Sequence, residues 1–135
     1  MLKKWTFFIV DAISTFLADP FDMKSAGVDV MIAGSQKALA CPPGVSLSVL
    51  GPKALKRIEM NKSKCMYLDF KAALADGERG QTPFTPAVSV LLQINARLKD
   101  IDKRGVEQEF TRVKTLAQDF RSKIKSLPFE ICPDQ

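Results

Sequence analysis

Lys37 and Asp11 are the residues whose type and setting best suit them to chemistry. Lys37 stands in Gly34-Ser35-Gln36-Lys37-Ala38-Leu39, a run of small and polar residues that follows an apolar segment. Upstream, Phe7-Phe8-Ile9-Val10-Asp11 ends a second apolar segment on a carboxylate. Burial disfavours an ammonium ion, so a lysine in an apolar surround loses its charge readily. The neutral amine is then a nucleophile that forms Schiff bases with aldehydes. Both apolar segments read as buried strands of an α/β sheet, with the two charged groups at strand ends. Ligands of such sheets bind outside the carboxyl ends of the strands.

Other chemistries are removed by composition. The chain has no histidine, which excludes Ser-His-Asp and Cys-His arrangements and most zinc sites. Its cysteines, Cys41, Cys65 and Cys132, form no CxxC pair. Their odd number and the absence of a signal peptide point to a reducing, cytoplasmic setting. The net charge of +5 is scattered over Lys3, Lys4, Lys53, Lys56, Arg57, Lys62, Lys64 and the last helices. No basic stripe with interleaved aromatics is present, so no nucleic-acid partner is expected. The apolar run Phe7–Val10 is too short to span a membrane. With 135 residues, 46% of them hydrophobic, the chain has the length of one domain with a real core.

The elements that must position Lys37 and Asp11 follow from periodicity and punctuation. Strands are expected at Thr6–Val10, Val28–Ala33 and Val45–Leu50. Asp19-Pro20, Cys41-Pro42-Pro43-Gly44 and Gly51-Pro52 break the chain between them. Pro52 suits the first turn of a helix carrying Ala54, Leu55 and Ile58. Residues 61–80 read as a surface connection with a short element inside it. Gln81-Thr82-Pro83-Phe84-Thr85-Pro86 is expected to be extended, because residues before proline avoid the helical region. Pro86 then opens a helix whose apolar face is Val88, Leu91, Ile94, Leu98 and Ile101, ended by Arg104-Gly105. In the next helix Val106, Phe110, Val113, Ala117, Phe120, Ile124 and Leu127 line one face, which reads as core. Phe129-Glu130-Ile131 reads as the start of a further strand.

A pyridoxal cofactor requires a lysine of this kind, a carboxylate at its pyridine nitrogen and donors for its phosphate. Asp11 suits the carboxylate role, and Ser35, Gln36, Thr82 and Thr85 are neutral donors suited to a phosphate. Ile13 is placed to press on one face of the ring. Spacing alone leaves the ordinary alternatives open. A lysine after a strand is commonly surface, Asp11 can be a cap or turn residue, and the threonines beside prolines can be plain loop residues.

The motifs themselves carry more. Val10-Asp11-Ala12-Ile13-Ser14, Asp29-Val30 leading into Gly34-Ser35-Gln36-Lys37-Ala38-Leu39, and Pro42-Pro43-Gly44 resemble the class V branch of the fold type I pyridoxal-phosphate aminotransferases. The likeness is greatest to the alanine–glyoxylate and serine–pyruvate aminotransferase group. Thr82-Pro83-Phe84-Thr85-Pro86 is similar to that family's later phosphate-binding loop. The resemblance implies an α/β fold, the large cofactor-binding domain of the fold type I enzymes. It also implies transfer of an amino group from a small amino acid, such as alanine or serine, to a 2-oxo acid, such as glyoxylate or pyruvate. Lys37 becomes the Schiff-base lysine and proton shuttle, Asp11 the partner of the pyridinium nitrogen, and Ile13 a ring-packing residue. Gln36 becomes a phosphate ligand, and Thr85 with Thr82 reaches the phosphate of the neighbouring subunit in a homodimer. Where that family often has an aromatic hydroxyl before the threonine, this chain has Phe84 or Gln81-Thr82.

Family members are considerably longer. Residues 1–135 are therefore expected to be part of the large domain only, without its N-terminal part and without the C-terminal small domain. Two other readings remain: another enzyme of the same fold, such as a 2-aminoethylphosphonate–pyruvate transaminase, or a non-catalytic remnant or assembly module. Cysteine desulfurases normally carry His beside the lysine, where this chain has Gln36, which lowers that option. A partial domain would leave its amphipathic helices and apolar sheet partly uncovered.

Overall fold

The computed structural model describes residues 6–129. Three strands form one sheet: β1 (Ile9–Asp11), β2 (Val30–Gly34) and β3 (Ser46–Leu50), in that spatial order. β1 and β2 are parallel, with Asp11 opposite Ile32, and β3 is antiparallel to β2, with Ser46 opposite Gly34. Four helices follow: α1 (Pro52–Met60), α2 (Phe70–Glu78), α3 (Val88–Arg104) and α4 (Val106–Ile124). All three expected strands are present, and the strand expected at Phe129-Glu130-Ile131 lies largely outside the described residues.

Only β2 is buried in the way the apolar segments suggest. It is paired on both edges and buries Met31, Ala33 and Gly34. β1 is shorter than expected and open, with Ile9 57% exposed, because among the described residues it is an edge strand with no neighbour on its outer side. Its entry is fixed by Asp29, whose carboxylate accepts from the Phe8 N–H at 2.9 Å and from Lys53 Nζ of α1 at 3.0 Å. Those two bonds hold the Asp29 carboxyl below its ordinary range, the Phe8 N–H contributing most.

Pro52 occupies the first turn of α1, where its missing N–H is not needed. The element inside residues 61–80 is α2, whose N-cap Asp69 accepts from the Lys71 N–H at 2.8 Å. α3 and α4 are joined by Gly105 alone, at φ +89°, a value that L side chains rarely adopt. Glu107 and Glu109 in the first turn of α4, and Arg121 and Lys123 in its last, match the helix dipole.

The main core holds Leu17, Leu39, Cys41, Val90, Ile94 and Ile101, so it lies between the turn after β2 and α3. A smaller cluster of Ala12, Val28 and Met31 lies under the sheet. The buried stripe of α3 is Val90, Ile94 and Ile101; of the expected face, Val88, Leu91 and Leu98 are exposed. The expected core stripe of α4 is only partly covered: Phe110, Val113, Ala117 and Ile124 are half-buried, while Phe120 is 64% exposed. Phe110, Val113 and Ala117 face Ala18 to Pro20 across an open cleft of about 540 Å³. The buried residue of α4 is instead Glu109, 1% exposed. Its periodicity was amphipathic, but the surface needed to cover that face is not among the described residues. No helix of the described residues is long and apolar enough to cross a membrane.

Candidate functional site

Because β1 and β2 are parallel, their carboxyl ends open on the same edge of the sheet. β1 ends on Asp11, and the Ala12 N–H still donates to the Ile32 carbonyl at 2.8 Å. The exposed Asp11 carboxylate accepts the Ile13 N–H at 2.9 Å through Oδ1, which fixes its orientation in a tight turn. Ile13 is half-buried. β2 runs on to Gly34 and delivers the lysine turn at this same edge.

Residues in that turn divide sharply. Ser35 and Leu39 are both 0% exposed, and Cys41 is buried. Gln36 and Lys37, between them, are exposed. The turn is closed by the Ala40 N–H donating to the Lys37 carbonyl at 2.8 Å and by the Cys41 N–H donating to the Ser35 carbonyl at 3.0 Å. Ala40 adopts the left-handed φ of +57°, uncommon for a residue with a Cβ. The side-chain amide of Gln36 folds back over Gly34: a Cβ there would stand 2.7 Å from Oε1.

Two expectations change. Lys37 is exposed rather than enclosed by apolar groups, because the described sheet has no further layer over this edge. Ser35 is not a free donor for a phosphate, since its buried hydroxyl donates to the Pro42 carbonyl at 2.6 Å. Sequence reasoning missed that role; the available signal was a lone serine between the strand and the exposed Gln36-Lys37 pair.

Thr82 and Thr85 lie on a separate exposed segment before α3. The Thr82 hydroxyl donates to the Phe84 carbonyl at 2.8 Å, whereas Thr85 makes no hydrogen bond among the described residues. The Phe84 ring stacks obliquely on Tyr67, centroids 4.9 Å apart. This segment feeds α3, whose start meets the Cys41–Gly44 turn: a Cβ on Gly44 would lie 3.6 Å from Val90 and 3.9 Å from Ala87. The fold thus brings Asp11, Ile13, Gln36 and Lys37 to one sheet edge. No hydrogen bond among the described residues joins Thr82 or Thr85 to them.

Comparison with known proteins gives a consistent result. Residues 2–134 match the family model described as Aminotransferase class-V. The chain is 32% identical to an uncharacterized aminotransferase of Methanocaldococcus jannaschii, covering 92% of this chain and 33% of that protein. It is 32% identical to a serine–glyoxylate aminotransferase of Arabidopsis thaliana, over 92% of this chain and 31% of the relative. Among solved structures, an alanine–glyoxylate aminotransferase from Nostoc sp. superposes with a TM-score of 0.82 at 20% identity. That superposition covers 96% of this chain and 35% of the other, and it shows the fold. The chain spans about a third of the length of the curated relatives it matches.

Proposed function

The chain belongs to the class-V aminotransferase family, and from that premise we propose that it carries the lysine-bearing part of a pyridoxal-phosphate-dependent aminotransferase site. The observation that carries this reading is the arrangement at one sheet edge: an exposed amine on Lys37 and a turn-fixed carboxylate on Asp11. The donor set fits the cofactor, because it offers an amine for an aldehyde, a carboxylate for a protonated ring nitrogen and neutral donors for a phosphate. When bound, pyridoxal phosphate supplies that aldehyde and a ring able to take up electrons released at the substrate carbon.

In this reading Lys37 Nζ would take a proton from the substrate Cα and deliver it to the cofactor's C4′ carbon, and would reverse that transfer when the amino group passes to the 2-oxo acid. Its exposed side chain leaves it free to swing, while the backbone beneath it is fixed by the turn. Asp11 holds the proton on the ring nitrogen; with Oδ1 bonded to the Ile13 N–H, Oδ2 is the oxygen left for that task. Ile13 packs on the ring. The Gln36 amide, which lies over Gly34, would donate to the phosphate. Thr85, whose hydroxyl has no partner among the described residues, and Thr82 donate to the phosphate of a neighbouring subunit in a homodimer.

Residues 1–135 form part of the large cofactor-binding domain. The substrates are a small amino acid and a 2-oxo acid, in keeping with the serine–glyoxylate and alanine–glyoxylate aminotransferases among the relatives. Cys41 and Cys65 are free, which suits a reducing, cytoplasmic location.

The test is covalent labelling. After incubation with pyridoxal phosphate and borohydride reduction, peptide mapping is expected to place the stable label mainly on Lys37. Lys37→Ala is expected to remove that label and the accompanying absorbance change. Even labelling of all lysines, with Lys37→Ala indistinguishable from the native chain, would overturn the proposal.

A further inference from the structure

Ser35 is wholly buried, yet it adjoins two exposed functional candidates, Gln36 and Lys37. A buried hydroxyl is costly unless it is hydrogen-bonded. Here it donates to the Pro42 carbonyl at 2.6 Å and accepts, at a longer 3.4 Å, from the Val45 N–H. The backbone of the same residue donates to the Val45 carbonyl at 3.1 Å and accepts from the Cys41 N–H at 3.0 Å. One residue therefore binds positions 41, 42 and 45, closing both ends of the turn that presents Lys37. Neither Pro42 nor Pro43 has an N–H, so a sheet ladder cannot continue through this stretch. The side-chain hydroxyl takes the place of that ladder.

Resting on the reading of Lys37 as the covalent lysine, we propose that Ser35 is the positioning residue of the Lys37 turn. Its hydroxyl clamps Pro42 so that the backbone under Lys37 stays rigid while the amine remains mobile. Removal of the hydroxyl leaves the Pro42 carbonyl without its donor and lets the left-handed Ala40, at φ +57°, relax. The lysine then samples many positions relative to Asp11. Misplacements of about 1 Å at reacting groups can lower rates by as much as ~100-fold.

The experiment compares the native chain with Ser35→Ala and Ser35→Thr. It measures borohydride-trapped pyridoxal phosphate at each lysine and amide exchange along residues 35–45. Ser35→Ala is expected to slow labelling at Lys37 about tenfold, with labelling at the distant Lys114 and Lys123 unchanged. Exchange at Val45 and Cys41 is expected to rise. Ser35→Thr, which keeps the hydroxyl, is expected to restore much of the Lys37 rate. A folded Ser35→Ala chain that labels Lys37 at the native rate overturns the role. If Ser35→Ala does not fold, the native chain decides: strong protection at Val45 and Cys41 supports the clamp, and exchange as fast as at Gln36 overturns it. Failure of the cofactor reading looks different, because the native chain would then show no preference for Lys37 while the exchange pattern still reports on Ser35.

Discussion

Glu109→Gln is expected to destabilise the described fold by about 3 kcal/mol, lowering the melting midpoint by roughly 10 °C. The Glu109 carboxylate is buried and caged by three arginines. Arg112 Nε donates to Oε1 at 3.0 Å, Arg97 donates to the same oxygen, and Arg104 Nη2 reaches Oε2 at 3.5 Å. Asp100 pairs with Arg97 at 3.1 Å and with Arg104 at 2.6 Å within α3, and the same two arginines tie α3 to α4 through Glu109. Glutamine preserves the volume but removes the charge, so the three cations face one another. Arg104 and Arg112 are partly exposed and can turn toward water, which holds the expected loss at the low end for a broken buried pair. Arg97 is mostly buried and has no such escape. The Nε atoms of Arg97 and Arg104 already have no partner among the described residues, so the network has little slack.

The same pair sets an acid limit. The Arg112 hydrogen bond, aided by the charges of Arg97, Arg112 and Arg104, holds the Glu109 carboxyl below its ordinary range, against the effect of burial. A group depressed in the folded state stabilises above its unfolded value, about 4.3 for glutamate, and that contribution fades as the pH falls through the lower folded value. The native chain is thus expected to lose stability below about pH 4.3, with a smaller acid dependence in Glu109→Gln. Melting midpoints across acid pH measure both effects. Equal midpoints for the two chains at pH 7, or parallel curves in acid, would contradict this account.

Much of the architecture was legible, and for local reasons. Pro52, Pro86 and Gly105 punctuate the chain where helices begin or end, and the Cys41–Gly44 turn follows from its prolines. The placing of Asp11 and Lys37 at strand ends followed from two apolar runs, and the parallel pairing of β1 with β2 puts both on one edge. Burial was less legible, because it depends on what covers a face. The α4 stripe of Val106, Phe110, Val113 and Phe120 has the right period, yet the buried residue is Glu109. Its partner Arg97 is on a different helix, and no window along α4 contains it. One signal was present: Arg97 falls in step with Val90, Ile94 and Ile101, and an arginine in an apolar stripe needs a buried counter-charge. The exposure of Lys37 was hidden for the same reason, since its setting depends on layers beyond the described sheet.

Leu39→Ala is expected to cost about 3 kcal/mol, and to loosen the Lys37 turn as well. Leu39 is 0% exposed and belongs to the core with Leu17, Cys41, Val90, Ile94 and Ile101. With Cys41, it packs the lysine turn against α3. So small a core leaves few neighbours to collapse into the cavity, and the cavity adds to the lost transfer energy. Leu39→Met, which nearly conserves volume, is expected to cost less than about 1.5 kcal/mol. Urea-unfolding midpoints separate the two variants, and equal midpoints would show that Leu39 does not hold the turn. A double-mutant cycle with Ser35→Ala then asks how the turn is held. The serine acts from the strand side through Pro42 and Val45, and the leucine acts from the helix side through Val90 and Ile94. If both restrain one rigid segment, releasing either already frees Lys37. The second substitution then adds little to the change in Cys41 amide exchange, although the stability losses continue to accumulate.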